Sequence, residues 1–468
     1  MALDHLWMPF QPPEPYAGEG GPRIMVEAEG CWMVDSDGNR YLDGVSALEA
    51  AIAGHRRKDL AQVAYDQMVA LEFLDVFRYA SPPAVTLAAK LAEITPGDLS
   101  RVHFTPGGSE SVETAIKVAK QYQKLVGEPR RFKVITREGA YHGCTFGAMA
   151  VDGDYFGTEL ELYGPLLPIR VVVPAPDSRR CTHCVPDPAP KSAGSSTNRS
   201  GLRDRGTGEG RCTMACLDDV ERIVLEEGPS TIAAMVIDLC GTASAVSIPP
   251  DGYLQRLQAL CRRYGILFVV DEIITGFGRT GRLFASEHWA IEPDIMTVSK
   301  GLSSGYMPIG AAVVSERIAQ AFIGHPDGQL SHGQTYGAHP VACAVALANI
   351  DLIAREGLVS NAGERGRQLL SGLRGLNGHR AYVEARGLGL LIGLEFATSP
   401  KPDSPAFDPK RAGYLLRSIC RDLGLITLTL HPGNVLFIAP PLVISRDETD
   451  QLVDMIDRAL VLYEERYL

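Results

Sequence analysis

Short apolar runs alternate with segments of helical periodicity from about residue 84 onward. This alternation predicts a parallel sheet covered by helices, and therefore an α/β fold. The clearest predicted strands are RFKVIT, AAMVID, ILFVVDE and DIMTVS. The clearest predicted helix is SESVETAIKVAKQYQ, whose apolar side chains recur on one face.

The two ends of the chain follow other patterns. Residues 23–43 alternate around DSDGN, which predicts a β-hairpin with its turn at Asp37 to Asn39. The same residues could open a calcium loop, but the glutamate that such a loop needs at its twelfth position is missing. The chain ends on a predicted helix, RDETDQLVDMIDRALVLYEERYL. We expect the hairpin and this helix to form a smaller lobe, with divisions at 1–65, 66–340 and 341–468.

Length and charge narrow the classes of protein. A chain of 468 residues exceeds the size at which a single core keeps growing, so a large domain and a smaller lobe are expected. A formal net charge of −11, without a cluster of Lys and Arg, argues against nucleic-acid binding. Asp4 and Pro9 interrupt what a signal peptide would require, and no stretch approaches about 18 uncharged apolar residues. We expect a cytoplasmic protein.

A long insert rich in Pro, Gly, Ser and charged residues runs from 174 to 211. Connections of this length are uncommon in compact domains, so the insert is either a functional lid or partly disordered. The pairs Cys181/Cys184 and Cys212/Cys216 bracket it. They are a weak zinc candidate, because the two pairs are farther apart than usual and the second pair is unusually spaced. We therefore expect no metal.

Two reactive side chains follow neighbouring predicted strands. The predicted strand within ILFVVDE ends at Asp271, and Lys300 follows DIMTVS, the next strand along the chain. Because the carboxyl ends of parallel strands meet at one edge of a sheet, both should lie at the same rim. An isolated buried carboxylate is too costly to keep, so Asp271 needs a partner. The two residues form either a structural ion pair or part of a reactive site.

The segment HFTPGGSESVETAIK adds a predicted anion site. It reads as a strand end, a glycine-rich turn and a helix start, so the amides of Gly108, Ser109 and Glu110 point beyond the helix N-terminus. An anion cradle, a carboxylate and a lysine together suggest pyridoxal 5′-phosphate. The phosphate would bind at the helix N-terminus, the pyridinium nitrogen at Asp271, and the aldehyde as a Schiff base on Lys300. Once an amine displaces it, Lys300 could shuttle a proton.

Outside the insert, the chain resembles the class III pyridoxal-phosphate aminotransferases of fold type I over nearly its whole length. The matching motifs are DSDGNRYLDG, GGSESVETAIK, YHG, PPDGYLQRL, DEIITGFGRTG, SKGLSSGYMPIGA, HGQTYGAHPVA and APPLVIS. The form SKGLSSGYMPIG is similar to the ω-amino-acid and amine:pyruvate branch. The resemblance implies a large cofactor-binding domain with a mostly parallel seven-stranded sheet, and a smaller α+β lobe built from both termini.

The resemblance also implies roles for individual residues. Tyr141 would stack on the cofactor ring with His142 beside it, and Gly108 and Ser109 would hold the phosphate. Thr335 would reach the phosphate of the neighbouring subunit, which implies a homodimer with shared active sites. A helix cap before GAHPVA is the alternative for Thr335. The implied reaction is transamination from an amine donor to a 2-oxo acid, aldehyde or ketone.

Three departures from the family pattern bear on the substrate. Asp238 stands where the family segment EPVQG has its glutamate, and Glu49 stands where branch members often carry an aromatic residue. TLTLHPGNV, residues 427–435, lacks an arginine that grips the substrate carboxylate in many relatives. We expect a primary amine, ω-amino or amino-sugar-like donor, with Glu49 and Asp238 as candidate substrate residues. The alternative is that Glu49 faces solvent or an ion pair.

The same lysine and aspartate would serve other reactions on this scaffold. Decarboxylation, aminomutase action and phosphate elimination differ from transamination in the bond held perpendicular to the cofactor ring. A regulatory protein that binds the cofactor without turnover is a further alternative. The presence of Lys300, Asp271 and Tyr141 together argues against it.

Overall fold

The structure is a computed structural model that describes residues 2–10, 22–155, 162–176 and 214–468. Its helices are α1 (Ala2–His5), α2 (Lys58–Ala70), α3 (Pro82–Ile94), α4 (Gly108–Leu125), α5 (Phe146–Met149), α6 (Cys216–Glu227), α7 (Tyr253–Arg263), α8 (Glu316–Phe322), α9 (Pro340–Arg355), α10 (Leu358–Gly375), α11 (Pro409–Asp422) and α12 (Arg446–Tyr467). Its strands are β1 (Met25–Glu29), β2 (Trp32–Asp35), β3 (Arg40–Asp43), β4 (Leu99–Thr105), β5 (Lys133–Arg137), β6 (Arg170–Val173), β7 (Ile232–Ile237), β8 (Leu267–Asp271), β9 (Ile295–Val298), β10 (Gly310–Ser315), β11 (Tyr382–Leu388), β12 (Leu391–Phe396), β13 (Leu425–Ile426), β14 (Leu428–Leu430) and β15 (Val435–Ile438).

The central sheet has seven strands in the order β4-β10-β9-β8-β7-β5-β6. The pairs from β9 to β6 are parallel, and β10 runs antiparallel to both of its neighbours. Every residue of β7, β8 and β10 is buried, which explains why these strands are continuous apolar runs rather than alternating ones. The predicted α/β fold with a mostly parallel seven-stranded sheet is confirmed.

Two four-stranded sheets lie outside the central one, in the orders β1-β2-β3-β13 and β11-β12-β15-β14. The first joins both ends of the chain, because Leu425 and Ile426 pair in parallel with Leu42 and Asp43. This pairing confirms a lobe built from both termini. The domain boundaries stay a prediction; residue 65 falls inside α2, and Pro340 is the first residue of α9.

The predicted N-terminal turn lies between β2 and β3. The Asp35 carboxylate accepts hydrogen bonds from the backbone N–H groups of Asp37 and Asn39, at 3.0 and 2.8 Å. An aspartate whose side chain accepts from the two following turn amides stabilises a tight turn. The Oδ1 atom of Asp35 therefore serves the turn, while its Oδ2 forms an ion pair with Arg23 at 3.4 Å.

The predicted insert falls largely outside the described residues, as do Cys181, Cys184 and Cys212. Cys216 is buried at the start of α6. Among the described residues, no group of three or more His, Cys, Asp or Glu side chains is arranged to hold a metal ion. None of the helices in the described segments is both long enough and apolar enough to cross a membrane.

Candidate active site

Asp271 and Lys300 lie at the same rim of the central sheet, as their positions after β8 and β9 require. Asp271 pairs across the two strands with Thr297, and both Asp271 and Lys300 line one cavity. The Asp271 Oδ1 atom accepts hydrogen bonds from the Ile273 N–H at 3.1 Å and the Thr297 hydroxyl at 3.2 Å. These contacts fix the carboxylate while it is 7% exposed to the cavity.

His142 is the third partner of Asp271. Its Nδ1 lies 2.8 Å from Asp271 Oδ2, and its side chain is fully buried. Burial alone would lower the pKa of His142, but the hydrogen bond and the charge of Asp271 outweigh burial and raise it. In turn, the imidazole helps to hold Asp271, which lines the cavity, in one orientation. Nε2 of His142 is buried without a hydrogen-bond partner among the described residues.

The N-terminus of α4 forms another wall of the cavity, to which Gly108 and Ser109 contribute. The first amides of a helix lack intrahelical partners and carry the positive end of the helix dipole, so this wall suits an anion. A Cβ on Gly108 would lie 3.0 Å from Ile273 Cδ1, which is tighter than ordinary contact. The Ser109 hydroxyl accepts a hydrogen bond from the Cys144 N–H at 3.1 Å.

Lys300 reaches from this cavity to Glu49. Its Nζ donates to Glu49 Oε2 at 2.6 Å, and the two side chains are 24% and 5% exposed. The backbone of Lys300 has φ of 40°, and Asn349 holds the following turn through the carbonyls of Gly301 and Leu302 at 2.9 and 3.0 Å. The lysine therefore sits on a fixed turn, with a buried carboxylate as its partner. The alternative to a substrate-binding role is that Glu49 faces solvent or forms an ion pair. The structure shows the ion pair, with Lys300.

Two further residues predicted for the site lie at the same cavity. Tyr141 and Asp238 line the same cavity as Lys300. Asp238 Oδ1 accepts from the Cys240 N–H at 2.9 Å, and its Oδ2 accepts from the N–H and hydroxyl of Thr242. Its carboxylate thus already stabilises a turn.

Thr335 lies away from this chain's cavity. It is exposed in the segment before α9, and α9 begins after His339 with Pro340 in its first turn. Its alternative interpretation as the cap of that helix is therefore wrong. An exposed position also leaves its side chain accessible to a neighbouring subunit.

Sequence reasoning missed Asp152, Thr242 and Thr297. Asp152 is fully buried, and its Oδ1 accepts a hydrogen bond from the His142 N–H at 2.5 Å. A single aspartate within the apolar run FGAMAVDG was the available signal. Thr242 and Thr297 left no comparable signal, because threonine is common in strands and turns.

Comparisons with known proteins agree with this site. The sequence matches the family described as Aminotransferase class-III over residues 16–460. It is 34% identical over 465 residues to an omega-aminotransferase of Caulobacter vibrioides, covering 98% of this chain and 97% of that protein. A solved (S)-enantioselective omega-transaminase from Thermomicrobium roseum is 37% identical with a TM-score of 0.87, covering 99% of this chain and 97% of that one. A PLP-bound amine transaminase from an uncultivated Pseudomonas species is 30% identical with a TM-score of 0.86, covering 98% of both chains.

The chain belongs to the class-III aminotransferases. Its fold is that of the fold type I pyridoxal-phosphate enzymes, and the predicted resemblance to the ω-amino-acid branch is confirmed by relatives and solved structures that carry omega-transaminase names. The protein is an enzyme that uses pyridoxal phosphate to move amino groups between an amine donor and an oxo acceptor.

The cavity fits this cofactor. The open N-terminus of α4 suits a phosphate, and Gly108 leaves room there that a Cβ would restrict by approaching Ile273. Asp271 offers a fixed carboxylate for a ring nitrogen, and Lys300 offers a primary amine for an aldehyde. These three groups are the donor set that pyridoxal phosphate requires.

Proposed function

We propose that the protein is a transaminase whose donor is a primary amine, ω-amino or amino-sugar-like compound rather than an α-amino acid, and whose acceptor is a 2-oxo acid, aldehyde or ketone. The observation that carries the assignment is the convergence of Lys300, Asp271 and the N-terminus of α4 on one cavity. The choice of donor is supported by the missing arginine in residues 427–435 and by the carboxylate of Glu49 beside Lys300.

In this proposal each residue has a physical task. Gly108 and Ser109 hold the phosphate through backbone amides and a hydroxyl, and Tyr141 covers the ring. When bound, pyridoxal phosphate supplies an aldehyde that takes up the amino group and a protonated ring that withdraws electrons. Asp271 keeps the ring nitrogen protonated by placing a negative charge against it.

His142 and Lys300 complete the machinery. The Nδ1 of His142 orients Asp271 through the 2.8 Å hydrogen bond. Lys300 would hold the cofactor through its primary amine, and its Nζ, when free, would carry a proton at the substrate carbon. Asp238 stays a candidate substrate residue, although both its oxygens accept hydrogen bonds within their own turn.

Two further points belong to the proposal. A homodimer is the proposed functional unit, in which the exposed Thr335 contacts the phosphate in the partner's site. The exposed position of Thr335 outside its own chain's cavity supports this arrangement. A cytoplasmic location is also part of the proposal.

A donor and acceptor screen tests the function. Purified enzyme is incubated with amines and with oxo acids or aldehydes, while the cofactor's visible absorption and both products are followed. Lys300→Ala should lose the absorption band of the bound cofactor and lower kcat by about 10³-fold, because the proton carrier at the substrate carbon is gone. Lys90→Ala, at a partly exposed lysine in an ion pair on α3, is the matched control.

Three outcomes would contradict the proposal. Carbon dioxide or free phosphate released without consumption of an oxo acceptor would show another reaction at this site. A protein that stays colourless after incubation with pyridoxal phosphate would contradict the cofactor role of Lys300. A strong preference for α-amino acids over amines and amino sugars would refute the assigned donor class.

A further inference from the structure

The residues that carry Glu49 form a strained turn. Ser46, Ala47, Leu48 and Glu49 have φ values of 51°, 46°, 69° and 60°, so four consecutive residues other than glycine adopt the left-handed conformation. The Cβ of each such residue comes too close to the following carbonyl oxygen, so an isolated chain would leave this conformation. Backbone strain of this kind persists where surrounding structure imposes it, and it clusters at functional sites.

The surrounding structure imposes it through Arg279. This arginine is fully buried, and its Nη2 donates to the Ser46 hydroxyl at 2.9 Å. Its Nη1 donates to the carbonyls of Leu390 and Pro440 at 3.0 and 2.6 Å, which ties the turn to two distant segments. The Ser46 hydroxyl in turn donates to the Ala439 carbonyl at 2.6 Å. The turn is thus clamped at its first residue, and Glu49 at its last residue is set in place.

The clamped turn holds a buried carboxylate against an alkylammonium group. Lys300 provides the only side chain among the described residues that hydrogen-bonds to the Glu49 carboxylate. Arg279 contributes positive charge at longer range, while its hydrogen bonds go to the carbonyls and to Ser46. A buried carboxylate that loses its cation is strongly destabilising, because its charge is then left uncompensated. Glu49 therefore needs another cation whenever Lys300 Nζ is engaged elsewhere.

The reaction engages that nitrogen elsewhere. In the proposed function, Lys300 Nζ leaves Glu49 to hold the cofactor, and later carries a proton at the substrate carbon. Lys300 lines the same cavity as Asp271, and its Nζ lies 2.6 Å from the Glu49 carboxylate. A substrate that brought its own ammonium group would restore the lost ion pair.

We propose that Glu49 is an ammonium subsite, filled by Lys300 Nζ before the cofactor binds and by the second amino group of a diamine donor during turnover. This inference rests on the proposed transaminase function and names its substrate class. The contact between Lys300 Nζ and Glu49 shows that the subsite accepts an alkyl chain ending in an ammonium group. A donor that ends in a carboxylate would meet a like charge there, and residues 427–435 contain no arginine.

The first test measures the subsite without turnover. Replacing Lys300 by Ala removes the atoms of propylammonium from beside Glu49, so propylammonium chloride is titrated calorimetrically into the cofactor-free full-length Lys300→Ala variant. It should bind at least about tenfold more tightly than to the Lys300→Ala/Glu49→Gln double variant, because hydrogen bonds to charged groups are the strong ones. 1-Propanol has the same shape as propylammonium without the charge, and it should bind to neither the single nor the double variant. Equal binding of propylammonium to both variants would overturn the inference.

The second test uses the intact enzyme and does not depend on the folding of the lysine variant. The ratio of kcat/KM for 1,4-diaminobutane to that for 1-butylamine is measured in the wild type, in Glu49→Gln and in Glu93→Gln. Glu93 is an exposed acid on α3 and serves as the matched control. The wild type and the control should favour the diamine by about tenfold or more, and Glu49→Gln should bring the ratio to within about threefold of unity.

The outcomes separate this inference from the function on which it rests. If both amines are transaminated and Glu49→Gln leaves their ratio unchanged, the ammonium subsite is wrong and the transaminase function stands. If no amine yields an oxo product, the function itself is contradicted. In that case propylammonium binding to the Lys300→Ala variant still decides whether Glu49 binds ammonium groups.

Discussion

Asp152 offers a sharp test of how burial governs the site. Its carboxyl lies behind His142, where Oδ1 accepts the His142 N–H at 2.5 Å and Oδ2 is buried without a hydrogen-bond partner among the described residues. Burial raises the pKa of Asp152 from 3.8 to about 7, although the charge of His142 opposes the rise. The folded protein therefore prefers this carboxyl protonated.

The sign of the effect on stability follows from that direction. A group whose pKa is higher in the folded protein contributes stability that is complete below its unfolded pKa and is lost as the pH rises through its folded pKa. For Asp152 the loss runs from about pH 4 to somewhat above pH 7. A difference of about 3 pKa units corresponds to about 4 kcal/mol at 1.36 kcal/mol per unit, which is the upper limit of the loss.

Asp152→Asn removes the ionisation and keeps an oxygen for the His142 N–H. The melting temperatures of wild type and variant, converted to free energies of unfolding, are compared at pH 5 and pH 8.5. The variant should gain stability relative to the wild type at the higher pH, by up to about 2.7 kcal/mol more than at pH 5, because only the two pH units between pH 5 and the folded pKa of about 7 still contribute. Asp154→Asn is the control, since Asp154 is 57% exposed in an ion pair with Arg170. Parallel pH profiles for wild type and Asp152→Asn would refute the reasoning.

Two further substitutions test the proposed phosphate-binding wall near Ser109 and the turn that follows Lys300. Gly143→Ala should weaken pyridoxal phosphate binding at least about tenfold in a spectroscopic titration, because at φ of 147° its Cβ would lie 2.6 Å from the Ser109 Oγ. Gly127→Ala, at φ of 86° with nothing within 4 Å, separates this clash from backbone strain, and equal affinities for the two variants would contradict the clash. Asn349→Ala should lower the free energy of unfolding by about 3 kcal/mol in urea, because it leaves two buried carbonyls and the Ser304 hydroxyl without their partner. A loss below about 1 kcal/mol would show that water or a rearranged turn replaces those bonds.

The sequence by itself determined the central part of the site. Asp271, Lys300 and the start of α4 each stand at the boundary of a strongly patterned element, so their positions follow from local apolar periodicity. Parallel strands bring their carboxyl ends to one edge, and that rule brought the three features together without any knowledge of side-chain contacts. The sequence motifs around these residues were sufficient to indicate the protein family.

The antiparallel course of β10 was not predicted. Its run GAAVVS is buried on both faces, as are the parallel strands, so its apolar pattern is the same in either direction. The direction is decided by the chain that precedes the strand, which returns from the lysine turn to the same end of the sheet.

Only the tertiary structure decided the contacts between distant residues. Glu49 meets Lys300 across 251 positions of sequence, and Arg279 clamps Ser46 across 233. The left-handed turn from Ser46 to Glu49 contains no glycine or asparagine, so its sequence does not predict its conformation. Strain of that kind has no local signature, because a buried arginine and two distant carbonyls impose it, and these come together only when the chain is folded.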